Sequence, residues 1–325
     1  MKEIEGSSTI LVTGSAGFIG SHVVHTLVAN GHRVIGVDNF NTYYDPLLKE
    51  ARNRTLCTSE RFTLYRGDIA DLALVKKVFS ENVIDKICHL AAQAGVRYSL
   101  THPHTYVASN LTGFANVLDE AKNAGIKDFI YASSSSVYGM SNKTPSSVSD
   151  PTDKPISLYA ATKKANELMA YTYHYLYGMN CIGLRYFTVY GPWGRPDMAP
   201  FLFTKSILEG APIRVFNYGK MRRDFTYIDD IVAGTLAALR AKHSGYEVFN
   251  LGGEKPEELM DFITAIEKAT EKKAKMEMFP IQPGDVLETA ADIDRSREIL
   301  GFEPRTTIEE GVPRFVEWYK SYHSV

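Results

Sequence analysis

The chain's first half alternates between two patterns. Short apolar runs at 9–13, 33–37, 62–66, 86–90, 128–132 and 181–184 are bounded by polar or glycine-containing stretches, as buried strands are. Longer stretches with helical character separate them, and 21–28 carries apolar residues at helical spacing. Strand and helix in strict alternation predict an α/β fold, a doubly wound parallel sheet with helices on both faces. From about 191 the order loosens into a Pro- and Gly-rich loop, a helix over 199–209, and then short strands and helices. The expected organisation is a sheet domain over 1–190 and, over 191–325, a smaller carboxyl-terminal α/β lobe for substrate, some of whose elements return to the sheet. There is no internal repeat or low-complexity segment.

The first strand runs directly into Gly14-Ser-Ala-Gly17-Phe18-Ile19-Gly20, and a helix follows. Strand, glycine turn and helix in that order make a Rossmann-type dinucleotide site. Gly14 permits the tight turn, Gly17 lets backbone approach a diphosphate, and Gly20 lets helix pack on strand, with the phosphates at the helix amino terminus. The second strand ends at Asp38, about twenty residues past the turn, where a carboxylate accepts from both adenosine ribose hydroxyls and repels a 2′-phosphate. The expected cofactor is NAD, not NADP.

Composition agrees. The chain has 325 residues, 44% hydrophobic and 23% charged, enough for a large core. Its net charge of −2 gives no reason to expect nucleic acid or an anionic membrane as partner. The three cysteines, Cys57, Cys88 and Cys181, have no paired spacing, and the last two fall in strand-like runs as core residues of a reducing compartment. The polar first eight residues lack a secretory apolar region, and no stretch is long enough to span a membrane. A soluble, cytoplasmic protein is expected. The histidines lack metal-ligand spacing, so no metal is expected.

Tyr159 and Lys163 stand four apart, which on a helix places phenol and ammonium on one face. A lysine beside the tyrosine, with a nicotinamide cation nearby, lowers the phenol pKa so that it can take a proton from an alcohol. Tyr171, Tyr173, Tyr175 and Tyr177 spread around the same helix and are read as core and interface residues.

Gly14-x-x-Gly17-x-x-Gly20, Gly67-Asp68-Ile69, His89-Leu90-Ala91-Ala92, the run Ser133 to Gly139, Tyr159-x-x-x-Lys163 and Arg222 to Asp229 together resemble the extended short-chain dehydrogenase/reductase family, from residue 9 to about 295. Within it the likeness is to the nucleotide-sugar epimerases, the UDP-glucuronate 4-epimerases in particular. The resemblance implies catalytic roles for Tyr159, Lys163, Ser134 and Ser136. It implies a cofactor site of Gly14, Gly17, Phe18, Ile19, Gly20, Asp38, Asn39, Asp68, Ile69, Leu90, Ala91, Ala92, Gln93, Asn110, Tyr159 and Lys163, in which Asp68 accepts from the adenine amine. Asn110 is read as beginning a helix, where it either supports the lysine through water or serves as a cap.

The serine run separates reactions. Dehydratases resembling this chain carry Asp and Glu where Ser135 and Ser136 stand, and related decarboxylases carry Glu at Ser136. A serine positions a substrate oxygen but does not hold and return a proton, which favours 4-epimerisation. Thr188 with Arg195 looks like the form that holds a uronate carboxylate, although a plain pairing of Arg195 with Asp197 is the alternative. The resemblance places Arg223 on the UDP phosphates, Asp285 of the Gly284-Asp285 segment on the UDP ribose, and Ser135 at the sugar. A second phosphate-binding arginine near Gln282-Pro283 stays unassigned. The expected activity is NAD-dependent 4-epimerisation of UDP-glucuronate by a homodimer paired through helices at 105–124 and 158–177. The alternatives are a UDP-glucose epimerase, a UDP-glucuronate decarboxylase and, from another class, an NAD-sensing binding protein.

Overall fold

The computed structural model describes residues 7–54, 56–140, 143–242, 244–282 and 285–325. Gly284 and Pro283 of the segment before Asp285 lie outside the described residues. β1 (Thr9–Thr13), α1 (Phe18–Ala29), β2 (Arg33–Asp38), α2 (Pro46–Asn53), β3 (Phe62–Arg66), α3 (Leu72–Glu81) and β4 (Lys86–His89) open the chain. Short helices α4 (Val96–Thr101) and α5 (Pro103–Tyr106) lead through a π-helical turn, Val107–Gly113, into α6 (Phe114–Asn123), β5 (Asp128–Ser134), α7 (Leu158–Tyr177) and β6 (Asn180–Tyr186). There follow β7 (Thr188–Tyr190), α8 (Ala199–Glu209), β8 (Pro212–Phe216), β9 (Arg222–Arg223), β10 (Phe225–Tyr227), α9 (Ile228–Arg240), β11 (Tyr246–Leu251), β12 (Glu257–Glu258), α10 (Leu259–Thr270), β13 (Lys275–Phe279), α11 (Asp294–Leu300) and α12 (Ile308–His323).

Seven strands form one sheet in the order β11-β6-β5-β4-β1-β2-β3, every pairing parallel. β1 shows why its apolar run is continuous. Ile10 and Val12 point into the core under α1 and α9, Leu11 into the core under α3 and α6, so both faces are dry. β11 joins this sheet at the edge beside β6, so the chain beyond 191 builds both the sheet and the smaller lobe. That lobe holds the two-stranded pairs β8–β13 and β9–β12, with α8 and α10. β1 and its neighbour β4 lead away on opposite sides, which opens a crevice at the strands' carboxyl ends.

Two expectations are corrected. The stretch at 105–124 is not one α-helix, because α5 begins at Pro103 and a π-helical turn shifts the register before α6. Of the α7 tyrosines read as core and interface residues, Tyr171, Tyr175 and Tyr177 are exposed and not core, whereas Tyr173 is half-buried against the core with its hydroxyl donating to Asp119 at 3.1 Å. Cys88 and Cys181 are buried, whereas Cys57 is exposed. Among the described residues no helix is long and apolar enough to cross a membrane, and no cluster of His, Cys, Asp or Glu could hold a metal.

Candidate active site

A cleft of about 1650 Å³ runs along the carboxyl ends of the strands and under the smaller lobe. At one end lies the glycine turn. A Cβ on Gly14, whose φ is +71°, would stand 2.8 Å from the Ala91 amide nitrogen, and one on Gly20 would stand 2.0 Å from the Gly14 carbonyl oxygen. Glycine is thus required by backbone packed on backbone. α1 starts at Phe18, three residues before its expected start, because Gly17 supplies the cap position. No side chain caps it and no acid lies in its first turn, so its N–H groups and positive dipole end are open to an anion. A dinucleotide diphosphate fits this cradle.

Asp38 is buried at the end of β2. Its Oδ2 accepts from the Ala16 amide (3.1 Å), its Oδ1 from the Phe40 amide (2.9 Å) and from Lys49 Nζ (3.0 Å). Asn39 donates to Asp68 Oδ2 at 2.9 Å. These residues line the cleft together with Gly14, Gly17, Phe18, Ile19, Gly20, Ile69 and Leu90 to Gln93. Asn110 is placed differently. It sits inside the π-helical turn, neither beginning a helix nor capping one, and is 1% exposed. Its Oδ1 accepts from the Gln93 amide (2.8 Å), and its Nδ2 donates to the Gln93 carbonyl and the Thr162 hydroxyl (both 3.0 Å). The side chain is a strut between the cleft wall and α7.

Midway along the cleft, Tyr159 and Lys163 project from the first turns of α7, whose amino terminus is capped by Ser157 accepting from the Ala160 amide at 3.1 Å. Burial pushes the Tyr159 phenol up, while a hydrogen bond with Ser134 and the positive charge of Arg195 pull it down. Lys163 is buried, donates to the Ala132 carbonyl at 2.8 Å, and is pushed down to about 7 by desolvation. In the chain alone the Ser134 hydrogen bond and the Arg195 charge favour the phenolate, while Lys163 is held on the Ala132 carbonyl. Ser134 ends β5 and accepts from the Ser136 amide (3.2 Å) and hydroxyl (2.9 Å). That contact curls Ser135 to Tyr138 into a 3-10 turn, with Ser135 and Ser136 on the cleft.

The far wall comes from the lobe. Thr188 opens β7, its amide donating to the Asp224 carbonyl at 3.2 Å. Arg195 makes the pair raised above as an alternative. Nε donates to Asp197 Oδ1 at 3.0 Å and Nη2 to Oδ2 at 2.5 Å, while the Tyr43 hydroxyl donates to the same Oδ2 at 2.9 Å. Burial opposes the charge on Arg195, yet Asp197 outweighs it and raises the guanidinium above its ordinary value. Arg195 is thus paired with Asp197 and also faces the cleft within electrostatic reach of Tyr159.

Arg223 donates to the carbonyls of Val286 (2.6 Å) and Leu287 (3.1 Å), and burial lowers it from its ordinary value. Asp285 accepts from Arg97 at 2.9 Å across the cleft. Arg97 also lies 4.9 Å from the centroid of Phe216, and Arg214 lies 5.5 Å from it. Arg97 and Arg214 thus join Arg223 at this end of the cleft. Sequence reasoning missed Arg97, Arg214, Tyr43, Asp197 as a functional partner, and Lys49. Arg97 follows the Ala91 to Gln93 run by only four residues, and that closeness was the available signal.

The comparisons with known proteins agree with this geometry. The profile of the NAD dependent epimerase/dehydratase family matches residues 10–252. An uncharacterized protein of Methanocaldococcus jannaschii is 54% identical, the match covering 95% of each chain. UDP-glucuronate 4-epimerase 4 of Arabidopsis thaliana is 48% identical over 97% of this chain and 76% of its own. The crystal structure of UDP-glucuronic acid 4-epimerase from Bacillus cereus, in complex with UDP-glucuronic acid and NAD, superposes with a TM-score of 0.91 at 36% identity, covering 97% and 99% of the two chains. A glycine cradle at a helix amino terminus, a Tyr–Lys pair on the next wall and a match over most of the chain lead to one conclusion: the protein belongs to the NAD-dependent epimerase/dehydratase family.

Proposed function

We propose that the protein is an NAD-dependent UDP-glucuronate 4-epimerase. The observation that carries this reading is that Ser134, Tyr159, Thr188 and Arg195 line one cleft, with the Arg195 charge acting on the phenol. A sugar whose C4 hydroxyl sits at the phenol carries its C5 carboxylate beside that carbon, where a guanidinium is the matching group. Bound NAD supplies the reversible hydride acceptor for C4.

The chain's own residues manage the proton and the carboxylate. Tyr159 as phenolate takes the C4 hydroxyl proton, and Ser134, with Ser136 behind it, bonds the same oxygen. Lys163 fixes the nicotinamide ribose. Oxidation makes the sugar a β-keto acid, which loses carbon dioxide when the breaking C–C bond aligns with the carbonyl π system. Thr188 and Arg195 hold the carboxylate out of that alignment while the ring, tethered by UDP at Arg223 and Asp285, turns its other face. Tyr159 then returns the proton to the inverted alcohol. Ser135 contacts the sugar, and neither it nor Ser136 supplies the acid and base that elimination requires.

Incubation with UDP-glucuronate, followed by NMR of the anomeric protons, tests this directly. UDP-galacturonate is the expected product. UDP-xylose would make the protein a decarboxylase, and retention of NAD without turnover of any UDP-sugar would make it a binding protein. Arg195→Ala is expected to raise KM for UDP-glucuronate by roughly tenfold or more, the range for losing a charged partner, while KM for UDP-glucose stays unchanged; loss of the charge beside the phenol lowers kcat with both sugars. An equal rise in KM with both sugars would overturn the carboxylate role.

The same reading includes a homodimer. Leu168, Tyr171 and Tyr175 recur at helical spacing on α7 and are 58%, 52% and 76% exposed, an apolar stripe suited to a second copy. Leu168→Glu is expected to halve the mass seen by light scattering, and a wild-type monomer would sink the assembly.

A further inference from the structure

The loop that carries Arg195 is held from behind by a side chain for which the proposed mechanism has no use. Arg52, near the end of α2, is 2% exposed and stands outside the residues that line the cleft. Arginine is rarely buried to this degree unless its donors are satisfied, and here they go to two separate segments of the wall. Nη1 donates to the carbonyl of Ala16 in the glycine turn (3.1 Å) and to the Tyr44 hydroxyl (2.7 Å). Nε and Nη2 both donate to the Trp193 carbonyl (3.2 and 2.6 Å), and Nη2 also donates to that of Gly194 (3.3 Å). The Gly194 carbonyl belongs to the planar peptide unit that ends at the Arg195 Cα, so Arg52 fixes the plane from which the Arg195 side chain starts. Trp193 needs such a hold. Its φ is +63°, a conformation unfavourable for a residue with a Cβ. Its indole packs on Trp318 and Tyr322 of α12, with ring centroids 5.2 Å away in each case.

A second strut comes from the same stretch of chain. The Tyr43 hydroxyl donates to Asp197 Oδ2 at 2.9 Å, while its ring rests on Tyr98 with centroids 4.7 Å apart. A Cβ on Gly95, whose φ is +102°, would stand 2.7 Å from that hydroxyl, so glycine leaves the room the hydroxyl occupies. Asp197 in turn takes Nε and Nη2 of Arg195. A guanidinium gripped along that edge presents the edge through Nη1 to a second carboxylate. Arg52 and Tyr43 therefore bracket Arg195, one through the two carbonyls before it and the other through the carboxylate two residues after it.

We propose that Arg52 and Tyr43 are positioning residues for the uronate carboxylate, acting through Arg195. The proposal deepens the epimerase reading and rests on it, and the test separates the two. Tyr159→Phe protein holding NAD, in which bound sugar is not turned over, is titrated calorimetrically with UDP-glucuronate and with UDP-glucose. Arg52→Met and Tyr43→Phe are introduced one at a time, each with and without Arg195→Ala. Arg52→Met is expected to weaken UDP-glucuronate by roughly tenfold, toward the worth of one charged hydrogen bond, and Tyr43→Phe by roughly threefold, with UDP-glucose changed by less than about twofold. Once Arg195 is alanine, neither substitution should weaken UDP-glucuronate further. An equal change with both sugars, or a further loss of UDP-glucuronate in the Arg195→Ala background, is what a general structural role gives and overturns the positioning role. Arg195→Ala that weakens both sugars alike overturns the carboxylate reading itself, and the positioning role with it. If Arg52→Met does not fold, Tyr43→Phe carries the same comparison, since it removes one hydroxyl and leaves the ring on Tyr98.

Discussion

Tyr159→Phe is expected to lower kcat by about 10²- to 10⁴-fold, the range for removing a positioned acid–base group, with KM for UDP-glucuronate nearly unchanged. The ring stays in place because its packing against Tyr106, centroids 6.1 Å apart, does not need the hydroxyl. Ser134→Ala is expected to act through the same atom with a different signature. Burial raises the phenol and the Ser134 hydrogen bond lowers it, so losing that bond raises it further. Less phenolate is then present at a given pH, and the rising limb of kcat against pH should move to higher pH. At sufficiently alkaline pH much of the loss should be recovered, which the phenylalanine variant cannot do. Near-normal turnover by Tyr159→Phe, or a pH profile in Ser134→Ala that drops without moving, would remove the general-base assignment.

Local patterns carried much of the fold. β1, β3 and α8 lie where periodicity and turn residues place them, α7 lies where the family resemblance places it, and the other predicted strands differ at their ends by one or two residues. Each is a segment buried on both faces or an amphipathic helix, so its own residues report its environment. What was not legible is held by contacts distant in sequence. Tyr43 reaches Asp197 across 154 residues, and Arg97 reaches Asp285 across 188. No spacing rule connects such pairs. α2 was not legible for another reason. Its buried face includes Lys49 and Arg52 beside Leu48, and a pattern that takes charge to mean solvent assigns those residues to the wrong side. Lys163, one turn from Tyr159 on α7, donates to the Ala132 carbonyl, and a positive charge acting on the phenol comes from Arg195 in a loop beyond β7, a partner that no spacing rule supplies.

Arg185→Ala is expected to cost about 3–5 kcal/mol of folding stability, the price of leaving a buried carboxylate without its partner. Arg185 on β6 donates to both oxygens of Glu167 on α7, at 2.8 and 2.9 Å, with side chains 4% and 1% exposed. Glu167 also accepts from Ser133 at 2.7 Å, and Arg185 donates to the Tyr138 hydroxyl at 3.0 Å, which donates to Asn250 at 2.6 Å. Ser133 and Tyr138 flank the segment that presents Ser134, Ser135 and Ser136, so the network ties that turn to the helix bearing Tyr159 and Lys163. Burial alone would raise the Glu167 carboxyl, but Arg185 and Ser133 hold it below its ordinary value of 4.5. A depressed carboxyl stabilises the fold above its unfolded pKa, and that contribution fades as pH falls below about 4.5. The urea midpoint of wild type should therefore drop in acid more than that of the double variant Glu167→Gln/Arg185→Met. That double variant replaces the ion pair by neutral groups of similar volume and should regain most of the stability lost in Arg185→Ala. It should not regain turnover, because Ser133 and Tyr138 lose the fixed partners that orient the serine turn against Tyr159. Full activity in a stable double variant would show that the serine turn keeps its geometry without the network.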